Sequence, residues 1–182
     1  MTPVHSVHFY DTDKALIDRL CGIVSSGLNL GNIVLLVLTS DHRDQLVDAL
    51  EQNGVDIEAH IREGRFTIYD VQKTLPRFML RGLPHTEFFK SFVGNLLKNA
   101  KKSARTRDQG LVIFGEAVSV LWDEGNHAGA LALERLWNEI LSDRALHLHC
   151  AYPRFLFSED HAGMIDICEC HSQVIGAPNQ AN

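Results

Sequence analysis

Apolar positions along this chain follow two alternating rhythms. Short runs carry almost no polar interruption, and longer stretches bring an apolar residue back every three or four places. The runs predict strands and the stretches predict amphipathic helices. Residues 4–10, VHSVHFY, alternate loosely and are rich in β-formers, so a first strand is predicted there. Leu16, Ile17, Leu20, Cys21, Val24 and Leu28 then mark one helical face, opened by a cap at Asp11 or Thr12 and closed by Gly27, Asn29, Gly31 and Asn32. Ile33–Leu38 is apolar throughout, the pattern of a parallel strand covered on both faces. A second helix carries Leu46, Val47 and Leu50 and stops near Asn53-Gly54. Val55–Gly64 is a connector with some helical character, and Phe66, Ile68 and Tyr69 form a third strand ending at Asp70.

Val71–Gly82 reads as a short helical piece, with Pro76 confined to its first turn. Pro84 opens the next element, whose stripe of Phe88, Phe89, Phe92, Val93, Leu96, Leu97 and Ala100 is the cleanest helical pattern in the chain. Lys98, Lys101, Lys102, Arg105 and Arg107 crowd its end, where cations complement the helix dipole. Leu111–Phe114 is the fourth strand, followed by Gly115-Glu116 and a helix at about 128–141. Ala145–Tyr152 is the fifth strand, ended by Pro153, and a last helix runs from Ser158 or Glu159 to Ser172. Residues 177–182 are expected to be a disordered tail, and residues 1–176 one domain, since no linker, repeat or low-complexity segment interrupts them. Strand and helix alternate as in βαβ units, which predicts a three-layer α/β fold: a mainly parallel sheet of about five strands with helices on both faces.

Composition narrows the function classes. The net charge of −6 argues against a dedicated nucleic-acid binder. No apolar stretch approaches the roughly 20 residues of a membrane span, and the first residues lack the pattern of a signal peptide. Four scattered cysteines, with no export signal, read as reduced thiols of a cytoplasmic protein.

In a parallel sheet the carboxyl ends of the strands gather at one edge, where open α/β proteins bind ligands. That edge would collect His8, Tyr10, Asp11, Thr39, His42, Arg43, Glu116 and Tyr152. One reading is a small-molecule pocket with a few placed polar groups. The other is that strand exits are polar because loops are solvated and helices need caps, which suits Asp11, Ser40 and Asp41. Glu116, between a buried strand and an apolar helix, needs a partner, and Arg43 or Arg135 could supply an ion pair. Glu134 and Asn138, one helical turn apart, read as supporting hydrogen-bonding residues that reach toward Glu116 or a loop.

Cys168-x-Cys170-His171, with His161 nearby, looks like a soft-ligand group, but on a helix position 170 lies well round from 168 and 171. Zinc sites usually take two spaced pairs, so these read as core cysteines and no metal is expected. His147 and His149 share one side of the fifth strand, opposite Leu146, Leu148 and Cys150, and could be ligands or satisfied core histidines. The chain holds no G-x-x-x-x-G-K-[ST], G-x-G-x-x-G or G-x-S-x-G, so no cofactor is expected.

Read together, several blocks resemble the MEDS sensory domain, first described in methanogen and methylotroph signalling proteins. They are His8-Phe9-Tyr10-Asp11, Thr39 with His42-Arg43, the Leu50…Gly54-Val55-Asp56 turn, Gly64 leading to Asp70, Phe78-Met79 and Gly82-Leu83-Pro84. The most specific block is Phe114-Gly115-Glu116 with Leu121-Trp122, Gly125, Leu133-Glu134 and Leu136-Trp137-Asn138. Cys150 with Tyr152-Pro153, and Cys168 with His171, complete the set. The resemblance implies a RecA-like fold, distantly related to clock-protein ATPases, without its Walker A motif. Where a P-loop would stand the chain reads VHFYDTDKAL, and the second strand ends TSDH rather than in paired glutamates. It further implies a non-catalytic input domain of bacterial signal transduction that senses simple one- or two-carbon hydrocarbon derivatives. With no output domain in the sequence, a histidine kinase or transcription regulator in trans, or a homodimer, would carry the signal. Two alternatives stand beside it. One is a small enzyme using Glu116 as general base with His8 or His42 as acid, or a His/Cys metal. The other is an interaction module acting through the Phe88–Ala100 helix or the tail.

Overall fold

A computed structural model describes residues 3–103, 109–141 and 146–176. Among these residues there are eight strands: β1 (Val4–Tyr10), β2 (Ile33–Leu38), β3 (Phe66–Asp70), β4 (Met79–Leu80), β5 (Leu83–Pro84), β6 (Leu111–Gly115), β7 (His147–Pro153) and β8 (Gln173–Ile175). Six of them form one sheet in the order β3-β2-β6-β7-β1-β8, with every pairing parallel. The helices are α1 (Asp13–Asn29), α2 (Ser40–Gln52), α3 (Ile57–Arg62), α4 (Val71–Thr74), α5 (Thr86–Ser103), α6 (Ala117–Asp123), α7 (His127–Leu141) and α8 (His161–Glu169).

Strand alternation divides the interior into two cores. Val34, Leu36 and Leu38 of β2 pack with Leu16, Leu20 and Val24 of α1 and Leu46 and Leu50 of α2. Ile33, Leu35 and Val37 pack on the other side with α5, α6 and α7. The fully apolar run of β2 therefore has the cause expected of it, helices on both faces. Gly27 of α1 lets that helix sit against β2, since a Cβ there would come 3.1 Å from Val34 Cγ2. Thr12, Thr39, Asp56, Asp70 and Asp160 cap α1, α2, α3, α4 and α8 by accepting a backbone N–H.

Four elements differ from the expectation. The sheet has six strands rather than about five, because the chain after α8 turns back as β8 on the edge of β1 instead of continuing as a helix to Ser172. Ser172 is held there by its N–H and its Oγ, which donate to the His5 carbonyl at 2.8 and 2.9 Å. Past Leu75–Arg77, a 3-10 turn, the piece read as helical up to Gly82 becomes the β4–β5 hairpin, whose turn places Arg81 and Gly82 at φ 52° and 82°. A further short helix, α6, occupies the segment directly after Glu116. The fifth predicted strand begins at His147 and runs on through Pro153; Ala145, the basic residues Arg105 and Arg107, and the tail 177–182 lie outside the described residues. Among the described residues no helix is long and apolar enough to cross a membrane.

The strand order places the site. The connection from β2 leads outward to β3, while that from β6 leads the other way to β7. Neighbouring strands whose connections diverge leave a crevice at their carboxyl ends. Thr39 and Glu116 are the residues at that crevice.

Candidate functional site

One carboxylate joins the exits of β2 and β6. Glu116 is only 2% exposed, and its N–H bonds the Val37 carbonyl at 3.0 Å, which fixes it at the strand end. Its Oε2 accepts the Thr39 N–H at 2.8 Å, and its Oε1 pairs with His42 Nδ1. Thr39 Oγ1 accepts the His42 N–H at 3.3 Å, so the residue that caps α2 also sets His42 in place. His42 Nε2 lies 3.4 Å from Asp13 Oδ1 at the start of α1. A carboxylate at each ring nitrogen favours the doubly protonated ring, in which both nitrogens donate. The hydrogen bond to Glu116 accordingly holds the His42 pKa above its ordinary value, against the opposing pull of burial. The Tyr10 ring stands edge-on to His42 with centroids 6.5 Å apart, and burial, aided by Glu116, pushes its hydroxyl well above the usual range.

The structure thus brings Tyr10, Thr39, His42 and Glu116 together and adds Asp13. The other predicted rim residues fall elsewhere. His8 is two residues further into β1 on the Tyr10 side, with ring centroids 6.3 Å apart. Its Nδ1 is buried without a hydrogen-bond partner, and burial, with Arg19 and Arg154, lowers its pKa to about 4. Asp11 caps nothing; it is exposed and pairs with Arg154 at 2.7 Å. Arg43 binds the adjacent Asp44 rather than Glu116, because one residue along a helix turns the side chain by about 100° and brings His42 to the carboxylate instead. Tyr152 does not line the rim. It is fully buried on the opposite face, since β7 alternation groups it with Leu148 and Cys150 under α7. Two grooves of about 620 and 790 Å³ run along α1, and neither is lined by Glu116 or His42.

A second polar constellation lies inside the α7 face of the sheet. Glu134 of α7 has no solvent exposure. Its Oε1 accepts the Tyr152 hydroxyl at 2.9 Å. Its Oε2 faces three groups: His5 Nε2 at 3.2 Å, His171 Nε2 at 3.5 Å and Cys150 Sγ at 3.5 Å. Cys150 Sγ is 3.6 Å from His5 Nε2. The four ligand-type atoms all lie within 4.8 Å of one another. Asn138 donates its Nδ2 to the Cys170 carbonyl at 2.8 Å, which turns its Oδ1 toward His5 Nδ1, also at 2.8 Å. His171 Nδ1 donates to the Ile167 carbonyl at 2.7 Å. Burial pushes the Cys150 thiol well up, with Glu134 adding to it. Burial also holds His171 below its ordinary range despite Glu134. For Glu134, burial pushes the carboxyl up, but His171, His5 and Tyr152 outweigh it and hold its pKa below the ordinary carboxylate value.

Glu134 and Asn138 are therefore supporting residues of this cluster, and none of their partners is at the rim. Of the Cys168-x-Cys170-His171 group only His171 enters it, because α8 ends at Glu169 and the chain beyond it turns inward. His149 faces the α1 side of β7 and bonds Ser6 Oγ at 2.6 Å. His5 and Cys150 were not singled out as ligands by spacing, since they stand 145 residues apart.

Three comparisons bear on identity. Residues 4–172 match the family described as "MEDS: MEthanogen/methylotroph, DcmR Sensory domain". No curated protein matches the chain. Among solved structures it is similar to the uncharacterized protein PH0321 from Pyrococcus horikoshii, crystallised in complex with an unknown peptide. The TM-score is 0.63 at 15% identity, covering 95% of this chain and 76% of that one, a likeness of fold alone. The family match spans nearly the whole chain, including both constellations, and on that ground the chain belongs to the MEDS sensory domain family.

Proposed function

We propose that the chain is a non-catalytic sensory input domain that binds a small organic molecule at the carboxyl rim of its sheet and passes the event to a signalling partner in trans. Family membership supports the sensory role. The observation that carries the location is the circuit through His42, which links α1 by Asp13, α2 by Thr39 and the β6 exit by Glu116. A molecule with one hydrogen-bonding group that takes the place of Asp13 at His42 Nε2 breaks the polar link between α1 and α2 made there. Binding would then shift the balance between two helix arrangements by its difference in affinity for them. Both Glu116 oxygens are engaged, which supports a binding role over a general base.

The test is a thermal-shift and calorimetric screen of small alcohols, halocarbons and organic acids against the unmutated protein and His42→Ala. The expected result is a rise in Tm for at least one class, lost in the variant. An equal rise in both proteins, or none in either, removes the rim site. A second reading, an interaction module without ligand, is favoured by the internal closure of the Glu116 circuit and by the exposed Leu80, Leu83 and Phe88 around the β4–β5 hairpin. An empty screen, with partner binding lost in Leu83→Ser, selects that reading.

A further inference from the structure

We propose that His5, Glu134, Cys150 and His171 bind one divalent transition metal, zinc before others, in a closed tetrahedral site between the sheet and α7. The proposal goes beyond the rim reading and does not depend on it.

Geometry is the first argument. Zinc bonds of about 2.0–2.3 Å at the tetrahedral angle set neighbouring ligand atoms roughly 3.3–3.7 Å apart. The distances among Glu134 Oε2, His5 Nε2, His171 Nε2 and Cys150 Sγ include 3.2, 3.5, 3.5 and 3.6 Å, and the rest stay within 4.8 Å. These four atoms come from β1, α7, β7 and the segment after α8, so packing has converged them from separate elements.

Hydrogen bonding is the second. His5 gives its Nδ1 proton to Asn138, whose amide orientation is set by the Cys170 carbonyl. His171 gives its Nδ1 proton to the Ile167 carbonyl. In each neutral ring the lone pair is then on Nε2, and both Nε2 atoms point at the same carboxylate oxygen. With both rings neutral, acceptors face an acceptor in a dry interior, which is unfavourable unless a metal ion or an added proton sits among them. His171 Nε2 is buried without a hydrogen-bond partner, on a side chain with no exposure. Metal-bound histidines characteristically donate their other ring N–H to a carbonyl or a side-chain oxygen, as both do here. Tyr152 completes the support by holding the far carboxylate oxygen.

Charge is the third. A dication with one carboxylate, one thiolate and two neutral imidazoles is neutral overall, which suits a site this deeply buried. The mixed N, O and S set, with four protein ligands, fits zinc better than magnesium or calcium, which take oxygen. No coordination position is left for water, so the site holds structure rather than activating a nucleophile. It would pin the chain between α8 and β8 to the centre of the sheet. Binding displaces the Cys150 thiol proton to solvent, so affinity rises with pH.

The test uses the full chain with any affinity tag removed. Elemental analysis of protein expressed with added zinc is expected to give one zinc per chain. Cobalt added to chelator-treated protein should give tetrahedral visible bands and a thiolate-to-cobalt charge-transfer band. Cys150→Ser should abolish that charge-transfer band, while the double variant Cys168→Ser, Cys170→Ser should keep it. Asn138→Ala, which removes the acceptor of the His5 Nδ1 proton and the bond to the Cys170 carbonyl while leaving all four ligands in place, should weaken zinc in chelator competition about 10–100-fold. If Cys150→Ser does not fold, the zinc stoichiometry and cobalt spectrum of the unmutated protein decide alone. Folded unmutated protein that retains less than about a tenth of an equivalent and gives no cobalt band overturns the site, leaving a His5 imidazolium–Glu134 pair. A charge-transfer band that survives Cys150→Ser but not the Cys168, Cys170 variant overturns it equally.

Discussion

Glu116 and Glu134 are both buried carboxylates with histidine neighbours, yet their surroundings are opposite. Glu116 is met by donors: a backbone N–H at 2.8 Å and a His42 ring whose two nitrogens both face carboxylates. That arrangement is complete in itself and opens to solvent through Asp13, which is 63% exposed on its side chain. Glu134 is met on one oxygen by a tyrosine hydroxyl and on the other by a thiol and by the Nε2 atoms of two imidazoles whose Nδ1 atoms each donate to another acceptor. Burial alone says little about role. The direction of the surrounding hydrogen bonds separates a satisfied clamp from a site that calls for a cation.

The largest effect should come from Glu134→Ala. Removing one partner of a buried charged group typically costs about 3–5 kcal/mol, because the remaining groups stay desolvated and unpaired. The expected outcome is a drop of that size in urea-unfolding stability at an unchanged m-value. A loss below about 1 kcal/mol would break the contrast, since it would mean the cluster relaxes without its carboxylate. Glu116→Gln should cost less, about 1–3 kcal/mol, because the amide oxygen still accepts from Thr39 N–H and only the pairing with His42 is lost. Proton NMR should then show the His42 pKa falling back toward its ordinary value. An unchanged His42 titration would place the cause of its raised pKa elsewhere.

The two regions also differed in how far they could be read from sequence. The Glu116 circuit is local in character: a run buried on both faces, a capping threonine and a carboxylate at a strand exit. Parallel pairing of β2 with β6 was enough to bring them together. What spacing could not decide was whether His42 or Arg43 meets the carboxylate, a matter of one step around α2. The Glu134 cluster left only half a signal. A charged residue inside LALERLW, on the face of Leu133 and Ala130, marks a group that needs partners, and His5 alternates with Val7 and Phe9 into the same core. The partners of Glu134, however, converge from β1, β7 and the segment after α8, none of them near it in the sequence. Tyr152 was within reach, since the alternation that puts Leu148 and Cys150 under α7 continues to it. β8 was not, because three residues on an edge carry no periodicity and their anchor, His5, lies 167 residues from Ser172. The seven residues of α6 follow Glu116 without a side-chain cap, too short a stretch to show a helical repeat.

A pH series sharpens the comparison with effects of opposite sign on one face of the sheet. The folded-state pKa of His42 lies above the ordinary histidine value of about 6.5, so the fold holds a proton that the unfolded chain releases. Its stabilisation is fully present below 6.5 and is lost as pH rises through the raised pKa. His8 behaves in reverse. Its pKa of about 4 means the unfolded chain takes up a proton first, so stability falls as pH drops from 6.5 toward 4. His149, lowered to about 4 by burial, adds to the same acid limb. His42→Asn should flatten the alkaline side of the stability profile, and His8→Phe should shallow the acid side. If both variants change the same limb, the assignment of charge to His42 and neutrality to His8 is wrong.

The smallest effect is expected at Arg154→Ala, and it tests whether burial sets the scale. Arg154 Nε and Nη2 approach the two Asp11 oxygens at 2.7 and 3.4 Å, a two-pronged contact that joins the exit of β1 to the segment after β7. By distance alone it rivals the His42–Asp13 contact. But Asp11 is 70% exposed on its side chain, so water competes for both partners and ordering two mobile side chains offsets much of the attraction. The expected loss is about 0.2–1 kcal/mol in dilute buffer, shrinking further in about 1 M salt as screening removes what remains. Urea unfolding of Arg154→Ala at both ionic strengths checks it. A cost that matches Glu116→Gln and survives high salt would show that contact geometry, rather than desolvation, ranks these carboxylates, and the contrast between rim and interior would have to be rebuilt on that basis.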